Sequence, residues 1–283
     1  MPLVNFSDLD FDQVKITLTD YLKANSNFTD YDFEGSNLAS IIDLLAYNTY
    51  ITSYNANMVT NEVFIDSATL RENVVSLARN IGYLPRSRKA ASATVSFFVD
   101  CSNIVPTPAS ITLSAGPVAS SSGAFGNQSF IFSILNDITV PVLNGIATFD
   151  DIPIHQGTLL TNTFTYSRRN PDQRFILPEE NSDTSTLTVM VQNSSTDTTS
   201  TTHTKTTDIS QITSTSANYF LQEVEAGLFE VYFGDGILGK LLSDGNIVIL
   251  TYVVTNRTDA NSASVFTNAA AIDSVIDVQV STV

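Results

Sequence analysis

The chain has 283 residues, 43% of them hydrophobic and 15% charged, enough to bury a sizeable core in two or three domains. Its formal net charge of −16 argues against unassisted binding to nucleic acid or to an anionic membrane, because both depend on clustered Lys and Arg. A lone cysteine, Cys101, cannot form an internal disulfide, and no run approaches the ~20 apolar residues of a membrane span.

The first ninety residues carry the helical period. Ser7 with Asp10 three residues on is an N-cap pattern, and Phe11, Val14, Leu18, Tyr21 and Leu22 form one apolar stripe that stops before residues 25–27. Ser36 caps a second, longer helix expected to reach about Asn61, a rod of ~39 Å. Its apolar residues do not form one stripe. Leu38, Ile41, Ile42 and Leu45 make one face, and Tyr47, Tyr50, Tyr54 and Met58 make another that is a candidate helix interface. Asn48 and Asn55, seven apart, have the spacing of polar residues that fix register between paired helices. A third helix, capped near Ser67 or Thr69 with Glu72 in the capping-box position, places Leu70, Val74, Leu77 and Ile81 on one side and stops at Gly82. Three short helices offer little core to cover so many apolar faces, which points to a partner. Charge is uneven here: residues 1–70 hold two lysines against ten acids, and Arg71, Arg79, Arg86, Arg88 and Lys89 follow together, a basic connector or an acidic-partner patch.

From Ala93 onward the pattern is β. Val95, Phe97 and Val99 alternate, and Asn144-Gly145 between two apolar runs is a two-residue hairpin signal. Pro141 suggests that the first of those runs is an edge strand. Strands are also expected at 164–166, 187–191, 219–224 and 229–233, the last two joined across Glu225-Ala226-Gly227. Residues 193–218 are mostly Ser, Thr, Asn and Asp, so a long surface loop or irregular hairpin is expected, with 193–207 exposed and mobile. Val275, Ile276, Val278 and Val280 read as one more strand.

Residues 229–252, FEVYFGDGILGKLLSDGNIVILTY, read as strand, compact glycine loop, turn and strand. Gly234, Gly236 and Gly239 satisfy the dinucleotide-loop spacing and Lys240 follows. The helix that would carry phosphates on its N-terminus is missing, because residues 241–245 lead straight into a turn. Gly234, Asp235, Gly236 and Gly239 are therefore read as a structural turn. Catalytic chemistry is sparse elsewhere. His155 and His203 have no ligand-spaced companions, residues 30–35 imitate a calcium loop but place Ile41 where the bidentate Glu belongs, and no nucleophile elbow occurs. No catalytic, cofactor or metal residue is assigned.

Several islands carry a family resemblance: Phe233-Gly234-Asp235-Gly236, Gly239-Lys240, Gly245-Asn246 and the closing 250–256, together with 173–181, 219–224 and Arg79-Asn80-Ile81-Gly82-Tyr83. In this order they resemble the Baseplate J-like family, the wedge proteins of contractile phage tails, in the T-even-type form found in marine myoviruses. The resemblance implies a virion structural subunit, made in the host cytoplasm. Its partners would be a second copy of itself and other wedge subunits, with the tail hub or tube contacted indirectly. Such subunits ring the hub and rearrange on sheath contraction. Family members continue past the last strand, so 283 residues are expected to be part of a longer polypeptide.

The fold expected is α+β: a helical bundle region over 1–91, then mainly antiparallel β-sandwich-like domains over 92–180 and 181–283. Two other functions fit parts of the pattern, a β-sandwich receptor- or glycan-binding tail module and a nucleotide-dependent enzyme built on the Gly234 loop.

Overall fold

A computed structural model describes residues 10–24, 37–124, 128–170, 172–206, 208–261, 263 and 265–268. Ser7, Ser36, residues 25–27 and 30–35 and the strand expected at 275–280 lie outside these. The chain divides into two compact units, 1–85 and 86–283. The first is helical and the second consists of mainly antiparallel sheets.

In the helical unit, α1 spans Phe11–Ala24, α2 Asn37–Glu62 and α3 Arg71–Asn80. Asp10 caps α1, its Oδ1 accepting from the N–H groups of Asp12 (3.0 Å) and Gln13 (3.3 Å). Phe11, Val14, Leu18 and Leu22 are half-buried, whereas Tyr21, expected on the same stripe, is 69% exposed. Helix α1 lies along α2, and Lys15 Nζ pairs with Asp43 Oδ1 at 2.6 Å between them.

The cap of α3 differs from the expected one. Its N-cap position is Leu70, which has no capping side chain, and Glu72 plays no capping part. Glu62, the last residue of α2, does the work from a distance. Its carboxylate accepts from Thr69 N–H (2.8 Å), Thr69 Oγ1 (2.6 Å), Leu70 N–H (3.3 Å) and Asn73 Nδ2 (2.7 Å). One side chain thus takes up the N–H groups of the N-cap residue and of the residue before it, and fixes the α2–α3 turn. At the far end Gly82, with φ +80°, closes α3 as expected: its N–H donates to Arg79 and that of Tyr83 to Ala78.

The β unit contains two seven-stranded sheets. Its strands are β1 Ser92–Asp100, β2 Ser110–Leu113, β3 Gly116–Ala124, β4 Gln128–Ile134, β5 Ile138–Leu143, β6 Ile146–Gln156, β7 Thr158–Thr165, β8 Phe175–Leu177, β9 Ser182–Gln192, β10 Ser200–Lys205, β11 Asn218–Glu223, β12 Phe229–Phe233, β13 Ile247–Val254 and β14 Phe266–Asn268. The first sheet runs β14-β3-β4-β6-β5-β2, with β1 also paired to β6. The second runs β7-β13-β9-β10-β11-β12-β8. Around the first sheet a core of Val99, Cys101, Ile111, Phe130, Phe132, Ile134, Phe149 and Ile154 is closed to solvent. Cys101 sits in it at 0% exposure, and burial pushes its thiol pKa up, as suits an inert apolar cysteine.

Asn144-Gly145 forms the expected hairpin turn, with φ of 53° and 82° at its two residues. The edge position expected from Pro141 is not found, because β5 lies between β6 and β2. Val142 N–H points towards β2, where it donates to Ala109, so by alternation Pro141 faces the β6 side. Pairing with β6 covers only Val142 and Leu143, so the missing N–H is not needed.

For 193–218 the hairpin, and not the long loop, is the form found, and the described residues of 193–206 are mostly exposed as expected. Residues 194–199 form a turn, but β10 is an interior strand of the second sheet, antiparallel to β9 and then parallel to β11. Polar composition is compatible with this place because a strand paired on both sides needs main-chain groups more than apolar side chains, and threonine suits a pleated strand. Only His203 of β10 is buried.

Strands β6 and β7 form one run through both sheets, interrupted only by Gly157. Gly157 has φ +128°, and a Cβ there would meet Val253 Cγ1 at 2.7 Å and the Val254 carbonyl carbon at 2.9 Å. Beside it Gln156, 1% exposed, accepts from Thr255 Oγ1 (2.7 Å) and Asn256 N–H (2.9 Å) and donates to Asn256 Oδ1 (2.7 Å). This buried amide clamp locks the end of the first sheet's central strand to the end of β13.

Candidate functional site: the outer face of helix two and the glycine loop

Helix α2 is apolar on two opposite sides. Its inner side carries Ile42 and Ala46, 3% and 0% exposed, followed by half-buried Tyr50 and Ser53 and then buried Asn57 and Asn61. Asn61 Nδ2 donates to Asn57 O at 2.8 Å. The outer side carries Ile41, Leu44, Leu45, Tyr47, Ile51, Tyr54, Met58 and Val59, all exposed. Leu44 and Val59 reach 67%, a large apolar surface for one helix. A shallow groove of about 400 Å³ runs along it, lined by Leu44, Leu45, Tyr47, Asn48 and Ile51.

The four residues marked in the sequence divide between the two sides: Tyr47, Tyr54 and Met58 are exposed and Tyr50 is half-buried. The face expected from Leu38, Ile41, Ile42 and Leu45 divides as well, with Ile42 inward and Ile41 and Leu45 outward. The signal for the outward side was present in the spacing. Ile41, Leu44, Asn48, Ile51, Asn55 and Met58 alternate by three and four residues, a 3.5-residue period that marks a helix-pairing seam. Asn48 and Asn55 are exposed within that seam. Phe64 and Ile65, in the turn after α2, and Leu70 before α3 extend the exposed apolar surface.

In the β unit the Gly234 loop is closed upon itself. Asp235 Oδ1 accepts from Ile237 N–H and Leu238 N–H, both at 2.9 Å, and these bonds hold its pKa below the usual carboxylate value. Gly236 N–H donates to Gly239 O (3.1 Å), Gly239 N–H to Thr213 O (3.2 Å) and Lys240 N–H to Ser216 O (2.9 Å). Each N–H from Gly236 to Lys240 has an acceptor within the chain, whereas a phosphate cradle needs several such donors aimed outward together. Gly236 and Gly239 have φ of +89° and +92°, while Gly234 is constrained by space, with a Cβ falling against Leu238 O and 2.5 Å from Gly239 O.

Close to the loop, His203 stacks edge-on against Phe233 at 5.4 Å between ring centroids. Its Nδ1 lies 3.2 Å from Thr201 O and its Nε2 has no hydrogen-bond partner among the described residues. Burial, with the nearby Lys240 charge, lowers its pKa. His155 lies on β6 away from this pair. Among the described residues no three His, Cys, Asp or Glu side chains gather as metal ligands, and no helix is long and apolar enough to cross a membrane. Arg174 forms the main charged cluster, bridging Glu230 (3.1 Å) and Glu225 (3.3 Å) across β12 and the turn before it.

Among the described residues the helical unit thus exposes an apolar seam, and the glycine loop of the sheets is satisfied by the chain's own acceptors. Residues 10–83, which span the three helices, match the family described as "Baseplate wedge protein gp6-like, helical domain". Over 94% of its length the chain is 26% identical to "Baseplate wedge protein gp6" of Enterobacteria phage T4. It spans 41% of that relative.

Proposed function

We propose that the protein is a structural subunit of a contractile-tail baseplate wedge and acts by assembly rather than by reaction. The observation that carries this reading is the outward seam of α2, which lies inside the segment that matches the wedge helical domain. Eight large apolar side chains on one exposed helix face cost free energy in water until another surface covers them. The occupant is a helix or helices of a second copy or of other wedge subunits, with Asn48 and Asn55 setting the register. The tyrosine positions Tyr47 and Tyr54 and Met58 flank that contact. The Gly234–Gly239 loop is a structural turn with no ligand and no cofactor. In the assembled tail baseplate the β unit serves as a stiff body packed around the tail hub, and sheath contraction shifts the interfaces between such bodies. The protein is made in the host cytoplasm and becomes part of the virion.

Replacing Ile51 and Tyr54 by Ser tests this. Both are exposed, so the isolated chain should keep its fold while association with co-expressed wedge subunits weakens. Unchanged association would overturn the seam as the assembly surface.

A further inference from the structure

The second sheet ends in two very different edges. Strand β8 has three residues, whereas β7 has eight and pairs with β13 at every position from Thr158↔Val254 to Thr165↔Ile247 without a bulge. The outer strands of the first sheet on the main path are also short, with four residues in β2 and three in β14. The sequence of β7, TLLTNTFT, has no charge and no proline, and neither does that of β13, IVILTYVV. Natural sheets usually guard an edge of this kind with Lys, Pro or a bulge, and β7 has none of these.

The direction of each main-chain group follows from bonds at the two ends of the strand. Gln156 N–H goes to Ala91 and Tyr166 N–H to Asn246, on the inward sides, and Gly157 N–H goes outward to Ile131 O. At the other end Thr165 O accepts from Gln173 Nε2 at 2.8 Å. By strict alternation the odd-numbered residues face away from β13. The outward groups of Gly157 and Thr165 are thus engaged at the ends. Between them the N–H and C=O of Leu159, Thr161 and Thr163 have no partner among the described residues.

We propose that this window pairs antiparallel with the same window of a second copy, joining two sheets across a two-fold axis at Thr161. With the axis there, Thr161 faces Thr161 and Leu159 faces Thr163, all in hydrogen-bonded register, so every outward group of both copies gains a partner. No other register leaves the window fully satisfied. The contact also places no charge against charge, although the chain as a whole carries −16 and would repel a copy of itself over most of its surface. Thr161 and Thr163 are exposed on the solvent face, ready to form the cross-strand rows that stabilise antiparallel pairs. This surface is separate from the helical seam and does not depend on it.

The test is amide exchange of the full chain at low and high protein concentration, read in peptides covering β7, together with sedimentation velocity. In the wild type, protection of β7 should rise with concentration in step with dimer formation. Thr161→Lys sets two cations opposite each other and should abolish both effects, and Thr161→Val should retain them. Thr161→Pro, which removes the outward N–H along with the hydroxyl that Thr161→Val also lacks, should abolish them too. Exchange of β7 that is independent of concentration, or a dimer that survives Thr161→Lys and Thr161→Pro, overturns the proposal. Dimer loss only in the Ile51→Ser, Tyr54→Ser protein would refute the β7 contact while leaving the helical seam intact.

Discussion

The Gly234 loop offers a demanding test of whether its glycines serve geometry or ligand. Substituting Ala for Gly234 creates a Cβ 2.5 Å from Gly239 O and against the Leu238 carbonyl, so the Leu238–Gly239 peptide must move by about an ångström to restore van der Waals separation. That shift breaks the Gly236–Gly239 hydrogen bond and loosens the one from Gly239 to Thr213, at roughly 1 kcal/mol each, with about 1–3 kcal/mol of overpacking strain besides. The total is ~3–5 kcal/mol. Gly236→Ala is the control: its Cβ would meet only Leu241 Cβ at 3.6 Å, leaving the ~1–2 kcal/mol cost of a positive φ. Urea unfolding followed by a β-unit signal should therefore rank wild type above Gly236→Ala and Gly236→Ala well above Gly234→Ala. Equal losses, or a Gly234→Ala protein within about 1 kcal/mol of wild type, would refute the steric reading. Saturable nucleotide binding lost on Lys240→Ala would contradict the assignment of the loop as a turn without ligand.

Three further outcomes follow from single side chains. Glu62, held near pKa 2 first by Asn73 and then by Thr69, against an ordinary 4.5, stabilises the α2–α3 turn above pH 4.5 and loses that contribution as pH falls towards 2. Glu62→Ala should speed amide exchange at Thr69 and Leu70 at neutral pH and remove this acid dependence; unchanged exchange would discount the cap. His203 has a folded pKa below its ordinary 6.5, so the unfolded chain takes up the proton first and stability falls as pH drops below 6.5. Melting temperature against pH should show that decline in wild type and less of it in His203→Leu, and identical slopes would count against a buried neutral imidazole. Limited trypsin digestion should cut at the exposed Arg168-Arg169 turn before Lys205, whose backbone is paired inside the sheet; early cleavage at Lys205 would show that β10 is not held.

Much of the fold could be read in the sequence because local chemistry and tertiary structure agree in those places. Asn144-Gly145, the Glu225-Ala226-Gly227 connection, Gly82 as a helix stop and the two-sided pattern of α2 each depend on neighbours within a few residues. The features that were not legible depend on distant partners. Glu62 caps a helix whose N-cap residue lies eight positions later, Gly157 is small because Val253 and Val254 pass over it, and Pro141 is tolerated because a ladder ends beside it. Strand β10 was hidden by its polar composition, since its place is set by β9 and β11. For the candidate surface, the sequence showed that α2 has too many apolar faces but not which residues turn inward. Ile42 and Ala46 face inward and Ile41 and Leu45 outward, a choice made by α1 and its Lys15–Asp43 pair as much as by α2 itself.

The central claim is that the outer seam of α2 is covered when the wedge assembles. Cys101 is fully buried, so Ile51→Cys supplies a single accessible thiol at the middle of that seam. Its alkylation rate should be measured in the isolated chain and again in assembled baseplates. The account predicts rapid reaction in the isolated protein and strong protection after assembly, with a thiol placed on the exposed Thr139 of the β unit as reference. Equal reactivity of Ile51→Cys before and after assembly would contradict it.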